Sequence, residues 1–263
     1  MLRSLWTAAT GMAAQQYNID TISNNLANVN TTAFKKSRAE FQDLLYQTIR
    51  PAGMTNNMGT QYPTPIEIGH GTKISSTQKS FIQGNLVQTD NPLDLSIQGA
   101  GFFMIQNPNG EVAYTRDGSF KVDGSGNLVT SNGYSMMPEV ALPTDTSAVV
   151  IRENGDIVVT VSGQTEGQTI GQIKLANFIN PAGLESLGGN LYKETEASGG
   201  PVEGVPGISG FGALTQGQLE ASNVKVVEEM VNLITSQRAY EINAKAITTS
   251  DQMLSTANNL KSS

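Results

Sequence analysis

SNVKVVEEMVNLITSQRAYEINAKAITTSDQMLSTANNL, residues 222–260, runs its whole length without a glycine or a proline. Those two residues are the strongest local breakers. The stretch therefore predicts one continuous helix of about 57 Å at ~1.5 Å per residue. Its apolar residues recur at heptad spacing: one row reads Val226, Leu233, Tyr240, Ile247 and Leu254. The row taken as its companion reads Met230, Gln237, Ala244, Asp251 and Asn258. Such spacing over several heptads is a coiled-coil pattern. Gln237, Asp251 and Asn258 interrupt it, so a simple two-stranded zipper would be weak, and polar seam residues fix register at a cost in stability. Glu228 and Glu229 near the start suit the positive end of the helix dipole, as Lys261 suits the other end.

The other end of the chain carries the same signal. With Leu5 in the first position, one row reads Leu5, Met12, Ile19 and Leu26, and its companion reads Ala8, Gln15, Ile22 and Val29. Residues 1–50 contain a single glycine, Gly11, while all ten prolines fall between Pro51 and Pro206. Of the 27 glycines, 26 lie between Gly53 and Gly217. This distribution predicts helical ends flanking a middle rich in strands and loops, an α+β chain. Two helices with narrow apolar seams, one at each end, are expected to pack together and to need further neighbours for stability.

The middle reads as β. IEIGHGTKIS (66–75), KSFIQGNLVQT (79–89), LDLSIQGAGFFMIQN (93–107) and AVVIRENGDIVVTVSG (148–163) alternate or run apolar between turn signals. Asn154-Gly155 and Asp117-Gly118 are hairpin dipeptides. RPAGMTNNMGTQYPTP (50–65) has no apolar periodicity and reads as an extended or irregular segment.

Composition excludes several function classes. The 263 residues carry a formal charge of −7, which argues against nucleic-acid binding, since that requires clustered Lys and Arg. The one basic cluster, Lys35, Lys36 and Arg38, reads as a solvated helix face or loop. The chain has no cysteine, so disulfides and thiolate metal sites are out. No apolar run reaches the ~20 residues a membrane span needs, and the N-terminus lacks the apolar core of a cleaved signal peptide. These features fit a cytoplasmic protein, or one exported by a machine that does not cleave its cargo. His70 is the sole histidine and has no evident nucleophile partner, so it reads as a loop or strand residue. GAGF (99–102) lacks the third glycine of a dinucleotide cradle. DGSGN (123–127) lacks the spacing and closing Glu of a calcium loop and reads as a β-turn. No catalytic, cofactor or metal residues are expected.

SNNLANVNTTAFKKSRAEF near the N-terminus, GAGFFMIQNPNGEVAYTRDGSFKVDGSGNLVTSNGY (99–134) and QGQLEASNVKVVEEMVNLITSQRAYEINAKAITTSDQMLSTANNL (216–260) resemble, in order, the signature blocks of the bacterial flagellar axial proteins, the rod and hook subunits. Together the blocks cover nearly half the chain. The segment 46–74 looks like that of rod-type members and is associated with a straight, stiff polymer. The resemblance implies a non-enzymatic subunit of the flagellar basal body, exported unfolded by the type III apparatus and placed in the cell envelope. It implies helical self-polymerisation into a hollow shaft that carries torque, with both terminal helices in a coiled-coil-like inner tube and the β-rich body outward. The implied division is 1–45 N-terminal helix of the tube, 46–75 extended segment, 76–212 body and 213–263 C-terminal helix. Implied partners are further copies of the chain, proximal rod and hook proteins along the axis, the envelope bushing rings and the export apparatus, with neither nucleic acid nor membrane insertion. Alternatives are a hook or proximal rod subunit, or an envelope glycan-binding or glycan-cleaving protein with helical arms. One position departs from the pattern: Ala33 stands where the family usually has Gly, so a left-handed backbone is not assured there.

The stretch TISNNLANVN (21–30) holds Asn24, Asn25, Asn28 and Asn30, although Asn is a mediocre helix former. Amides are desolvated at lower cost than charges, so these four are expected to face neighbouring subunits. The expected assembly interface is Leu5, Met12, Ile19, Ile22, Asn24, Asn25, Leu26, Asn28, Val29 and Asn30 on the first helix. On the last helix it is Val226, Met230, Leu233, Gln237, Tyr240, Ile247 and Leu254.

Overall fold

The computed structural model describes residues 2–55, 61–143, 145–162, 167–208 and 210–262. It is α+β: helix α1 (Leu2–Ala27) and helix α2 (Val226–Ser262) bracket a β-rich middle. The chain divides into two compact units, one of Met1–Ala27, Ser37–Gln78 and Lys225–Ser263, the other of Asn28–Lys36 and Lys79–Val224.

In the first unit α1 and α2 lie side by side, antiparallel. α1 stops at Ala27, well short of the helical segment 1–45 read from the sequence, and Ser37–Asp43 is a strand paired with Thr72–Lys79. The asparagines explain the early stop. The Asn28 carbonyl accepts from Thr31 N at 3.2 Å and its side-chain oxygen from Thr31 Oγ1 at 3.1 Å, a turn that competes with the next helical bond. IEIGHGTKIS is broken by Gly71, whose φ of +108° suits glycine. A Cβ there would sit 2.1 Å from Thr10 Oγ1 on α1, so the turn that exposes His70 also lets the backbone approach the helix. The segment read as extended or irregular, 50–65, continues a β-hairpin outward. Tyr46–Arg50 pairs with Ile66–Gly69, and the pairing continues outward through Gly53 N to Tyr62 O at 2.9 Å and the Thr55–Gln61 bridge. The Arg50 guanidinium lies 3.7 Å over the Tyr62 ring. Positions 56–60 of that segment lie outside the described residues.

The second unit is built on a nine-stranded antiparallel sheet whose central strand, Phe102–Gln106, pairs with Val112–Thr115 on one edge. Its other edge is shared between Ser135–Met137 and Leu175–Asn177. Phe103 and Ile105 enter one apolar cluster, with Leu95, Ile97, Phe120 and Leu175, while Phe102 and Met104 enter a second, with Tyr114, Phe178 and Tyr192. Alternate residues of a strand point to opposite faces, and both faces of this strand are covered, which is why FFMI reads as a continuous apolar run. Asn154-Gly155 joins Thr146–Ile151 to Asp156–Val161 in a hairpin, as the dipeptide predicts. DGSGN is a turn in which the Asp123 carboxylate accepts from Ser125 N and Asn127 N, both at 2.8 Å. Asp117-Gly118 makes no hairpin. Asp117 Oδ1 accepts from Ser119 N at 3.0 Å, and a Cβ on Gly118 would lie 1.7 Å from Leu95 O, so this glycine serves close approach.

Burial pushes the Tyr192 hydroxyl pKa up to about 12 from an ordinary 10. Because the folded value exceeds the unfolded one, the resulting stability is fully present below pH ~10 and is lost as pH rises through about 12. At ~1.4 kcal/mol per unit the loss is at most about 3 kcal/mol. Thermal melts between pH 9 and 12 are expected to show it, and because burial also pushes the Tyr114 hydroxyl up to about 12, Tyr192→Phe is expected to remove roughly half of the slope; an unchanged slope in that variant refutes the assignment.

The segment Asn28–Lys36 belongs wholly to this unit. Ala33 is buried with φ +55°, and its N–H donates to Glu220 O at 2.7 Å. The left-handed backbone is thus kept by an alanine at a strain of ~1–2 kcal/mol. Lys35 is the next surprise: read as a solvated side chain, it is 0% exposed. Its ammonium donates to Glu220 Oε1 at 2.5 Å and to Ile82 O at 2.9 Å. Arg116, also buried, places its guanidinium 3.5 Å from Glu220 Oε2 and donates to Gly99 O at 2.7 Å. Burial lowers the Lys35 pKa from the ordinary lysine value, against the pull of Glu220.

Candidate assembly surface

Four contacts tie α1 to α2, each one heptad from the next on both helices. Asn25 Nδ2 donates to Glu229 Oε2 at 3.4 Å, Asn18 Nδ2 donates to Ser236 Oγ at 2.8 Å, and the Ser4 and Ser250 hydroxyls are 3.3 Å apart. Between the last two rungs Gly11 lies against Asn243, where a Cβ would come 3.0 Å from Nδ2. Each step of seven along α1 matches a step of seven back along α2, the period of a supercoiled pair.

This ladder revises the second row on α2. Glu229 and Ser236 are buried and Asn243 and Ser250 partly so, whereas Met230, Gln237 and Asp251 are exposed. The periodic reading sought apolar residues and chose a row one position too far along; the row that meets α1 is polar and small. The first row does better, since Leu233, Ile247 and Leu254 are partly buried, but Val226 and Tyr240 remain exposed. On α1, Ile22 is buried and Leu5, Met12, Ile19 and Leu26 are partly buried, as is Val29 just beyond the helix.

The asparagines separate into distinct roles. Asn24 and Asn30 are exposed and Asn28 is partly buried. Asn25 is 2% exposed and serves its own chain: its Oδ1 accepts from Ser37 N at 2.9 Å and its Nδ2 donates to Ser37 O at 2.8 Å. The expectation that Asn25 faces a neighbouring subunit is therefore corrected, because both ends of its amide are engaged within the first unit. Asn25→Ala is expected to strip both main-chain partners from Ser37 and to cost about 2 kcal/mol or more. Asn28→Ala, which removes a turn bond, is expected to cost about 1 kcal/mol. Amide exchange at Ser37 reads the difference: comparable acceleration in the two variants counts against the clip.

The sequence reading missed a further row. Val227 (76% exposed), Val231, Ile234 and Ile242 (68% exposed) project from the side of α2 away from the ladder, and Trp6 of α1 is 72% exposed. The signal was present as apolar residues at i, i+4 and i+7 beside the first row. A helix apolar on more than one side is built for burial on more than one side. The Tyr46–Arg50 hairpin likewise exposes Tyr46, Ile49, Ile66 and Ile68.

Paired terminal helices that leave apolar side chains exposed, in a chain whose middle is β-rich, define a subunit made for assembly. Comparison with known proteins agrees. Three family models match in chain order: a flagella basal body rod protein model at residues 5–35, the flagellar hook protein FlgE/F/G D1 domain at 96–159, and the flagellar basal body rod FlgEFG protein C-terminal model at 215–260. The chain is 53% identical over 263 residues to the flagellar basal-body rod protein FlgG of Borreliella burgdorferi, covering 99% of each chain. It is 53% identical over 254 residues to that of Buchnera aphidicola subsp. Schizaphis graminum, covering 97% of this chain and 98% of the relative. It is 40% identical over 270 residues to that of Bacillus subtilis, covering 99% and 100%. The chain belongs to the flagellar basal-body rod protein family, structural components of the bacterial flagellum.

Proposed function

We propose that this chain is the distal-rod subunit, a non-enzymatic protein that polymerises helically into a rigid hollow shaft carrying torque from motor to hook. The observation that carries the reading is the apolar surface on α2, Val227, Val231, Ile234 and Ile242, that the described residues of its own chain leave exposed. Apolar area of this kind is removed from water by neighbouring copies, which supports a reading in which α1 and α2 line an inner tube. Leu5, Met12, Ile19 and Leu26, the exposed Asn24 and Asn30, and the exposed Val226, Met230, Gln237 and Tyr240 are the residues of the expected interface left to contribute. The axial neighbours are proximal rod and hook proteins, the lateral ones envelope rings, and the location is the periplasmic part of the basal body after type III export.

Seeded polymerisation of the purified chain, followed by sedimentation and electron microscopy, tests the proposal. A straight filament is expected, and deletion within 46–74 is expected to yield a curved one. A deletion polymer that stays straight removes the role of that segment. Limited proteolysis of the dilute monomer is expected to trim both termini and spare a β-rich core from about 70 to about 210. Failure of the chain to polymerise on seeds, with glycan cleavage dependent on a body carboxylate, would favour the enzyme alternative.

A further inference from the structure

α2 offers α1 two sides on which to lie. One carries Val227, Val231 and Ile234; the other carries the polar Glu229, Ser236, Asn243 and Ser250 beside the partly buried Leu233, Ile247 and Leu254. Apolar burial is on offer on both sides, so it does not by itself choose between them. α1 occupies the second. We infer that the rungs Ser4–Ser250, Gly11–Asn243, Asn18–Ser236 and Asn25–Glu229 are specificity-determining contacts that select which side of α2 meets α1 within one chain.

The physical reason is matching. α1 carries polar or minimal side chains at four successive heptad positions, and α2 carries their complements at four. If α1 were rotated onto Val231 and Ile234, the Asn18 amide would be desolvated without its Ser236 partner, a cost that counts against that arrangement, while Asn25 would keep only its bonds to Ser37. Gly11, the one glycine in the first 50 residues, completes the set, since a Cβ there would press on the Asn243 amide at 3.0 Å. The ladder therefore spends the polar side of α2 inside the chain and keeps the apolar side outward. That this outward side is for neighbouring copies rests on the assembly proposed above; the choice of side does not.

Because the chain has no cysteine, a Ser4→Cys/Ser250→Cys parent reports the pairing by the yield of its intramolecular disulfide under mild oxidation, read on a non-reducing gel with the full chain. Into this parent go two rung variants: Asn18→Leu with Ser236→Ala, which abolishes the central hydrogen bond, and Asn18→Ser with Ser236→Asn, which reverses it. The first is expected to lose at least tenfold in intramolecular yield, and the second to stay within twofold of the parent. An unchanged yield in the first variant, or an equal loss in both, overturns the inference. Sedimentation of the parent separates the two readings: a parent that cross-links but never assembles overturns the role given to the outward side and leaves the rungs standing.

Discussion

Glu220→Ala is expected to lower the melting temperature of the β-rich unit by about 6–20 °C, measured calorimetrically on the full chain. Glu220 is the sole carboxylate described beside two buried cations, accepting from Lys35 Nζ at 2.5 Å and from Gly84 N at 2.8 Å and facing Arg116 at 3.5 Å. Removing it leaves both cations buried without an opposite charge, a loss of about 3–5 kcal/mol. In a unit of this size each kcal/mol moves the midpoint by about 2–4 °C. Glu220→Gln, which keeps an acceptor for Lys35 but no charge, is expected to fall between the wild type and the alanine variant. A shift below about 2 °C for Glu220→Ala would show that the three charges are not held together as the structure places them. The trio also matters for the segment 28–36: Lys35 enters it from that segment, and Ala33 is hydrogen-bonded to the Glu220 main chain.

Val231→Asp with Ile234→Asp is expected to abolish assembly while leaving the monomer almost untouched. Both side chains are about half exposed in the single chain, and exposed substitutions away from special features change stability by about 0.5 kcal/mol or less. In a packed polymer each would lose about 1–2 kcal/mol of apolar burial and add a carboxylate to desolvate. A combined loss of ~2.7 kcal/mol already raises the critical concentration about 100-fold. Sedimentation against concentration reads this directly, with the monomer melting curve as control. Unchanged assembly would move the interface off that side of α2.

The helices were legible because helical signal is local. The absence of Gly and Pro from 218–263 and their scarcity in 1–50 marked both helices, and the run in LSIQGAGFFMIQN marked the central strands. Asn154-Gly155 was legible for the same reason, since a tight turn is decided by its own residues. Asp117-Gly118 was not, because its glycine answers to Leu95, more than twenty positions away. Of the hairpin in 46–69, Ile66–Gly69 lies in a stretch read as β, whereas Tyr46–Arg50 escaped because a two-stranded ladder is held by main-chain bonds that impose little on side-chain pattern. The helix pairing was half legible: the partly buried row of Leu233, Ile247 and Leu254 followed from spacing, whereas the polar row that meets α1 carries no hydrophobic signal to read.

The sequence by itself determined the two terminal helices, the β-rich middle and the flagellar family, since periodicity, breakers and motifs are properties of neighbouring residues. Only the tertiary structure decided what the polar residues do. It turned Asn25 inward to clip Ser37, buried Lys35 against Glu220, and set Asn18 opposite Ser236 across the helix pair. Each of those assignments depends on a partner brought close in space, in two of the three cases from nearly 200 positions away or more. A polar side chain is stable inside a protein only where such a partner is waiting.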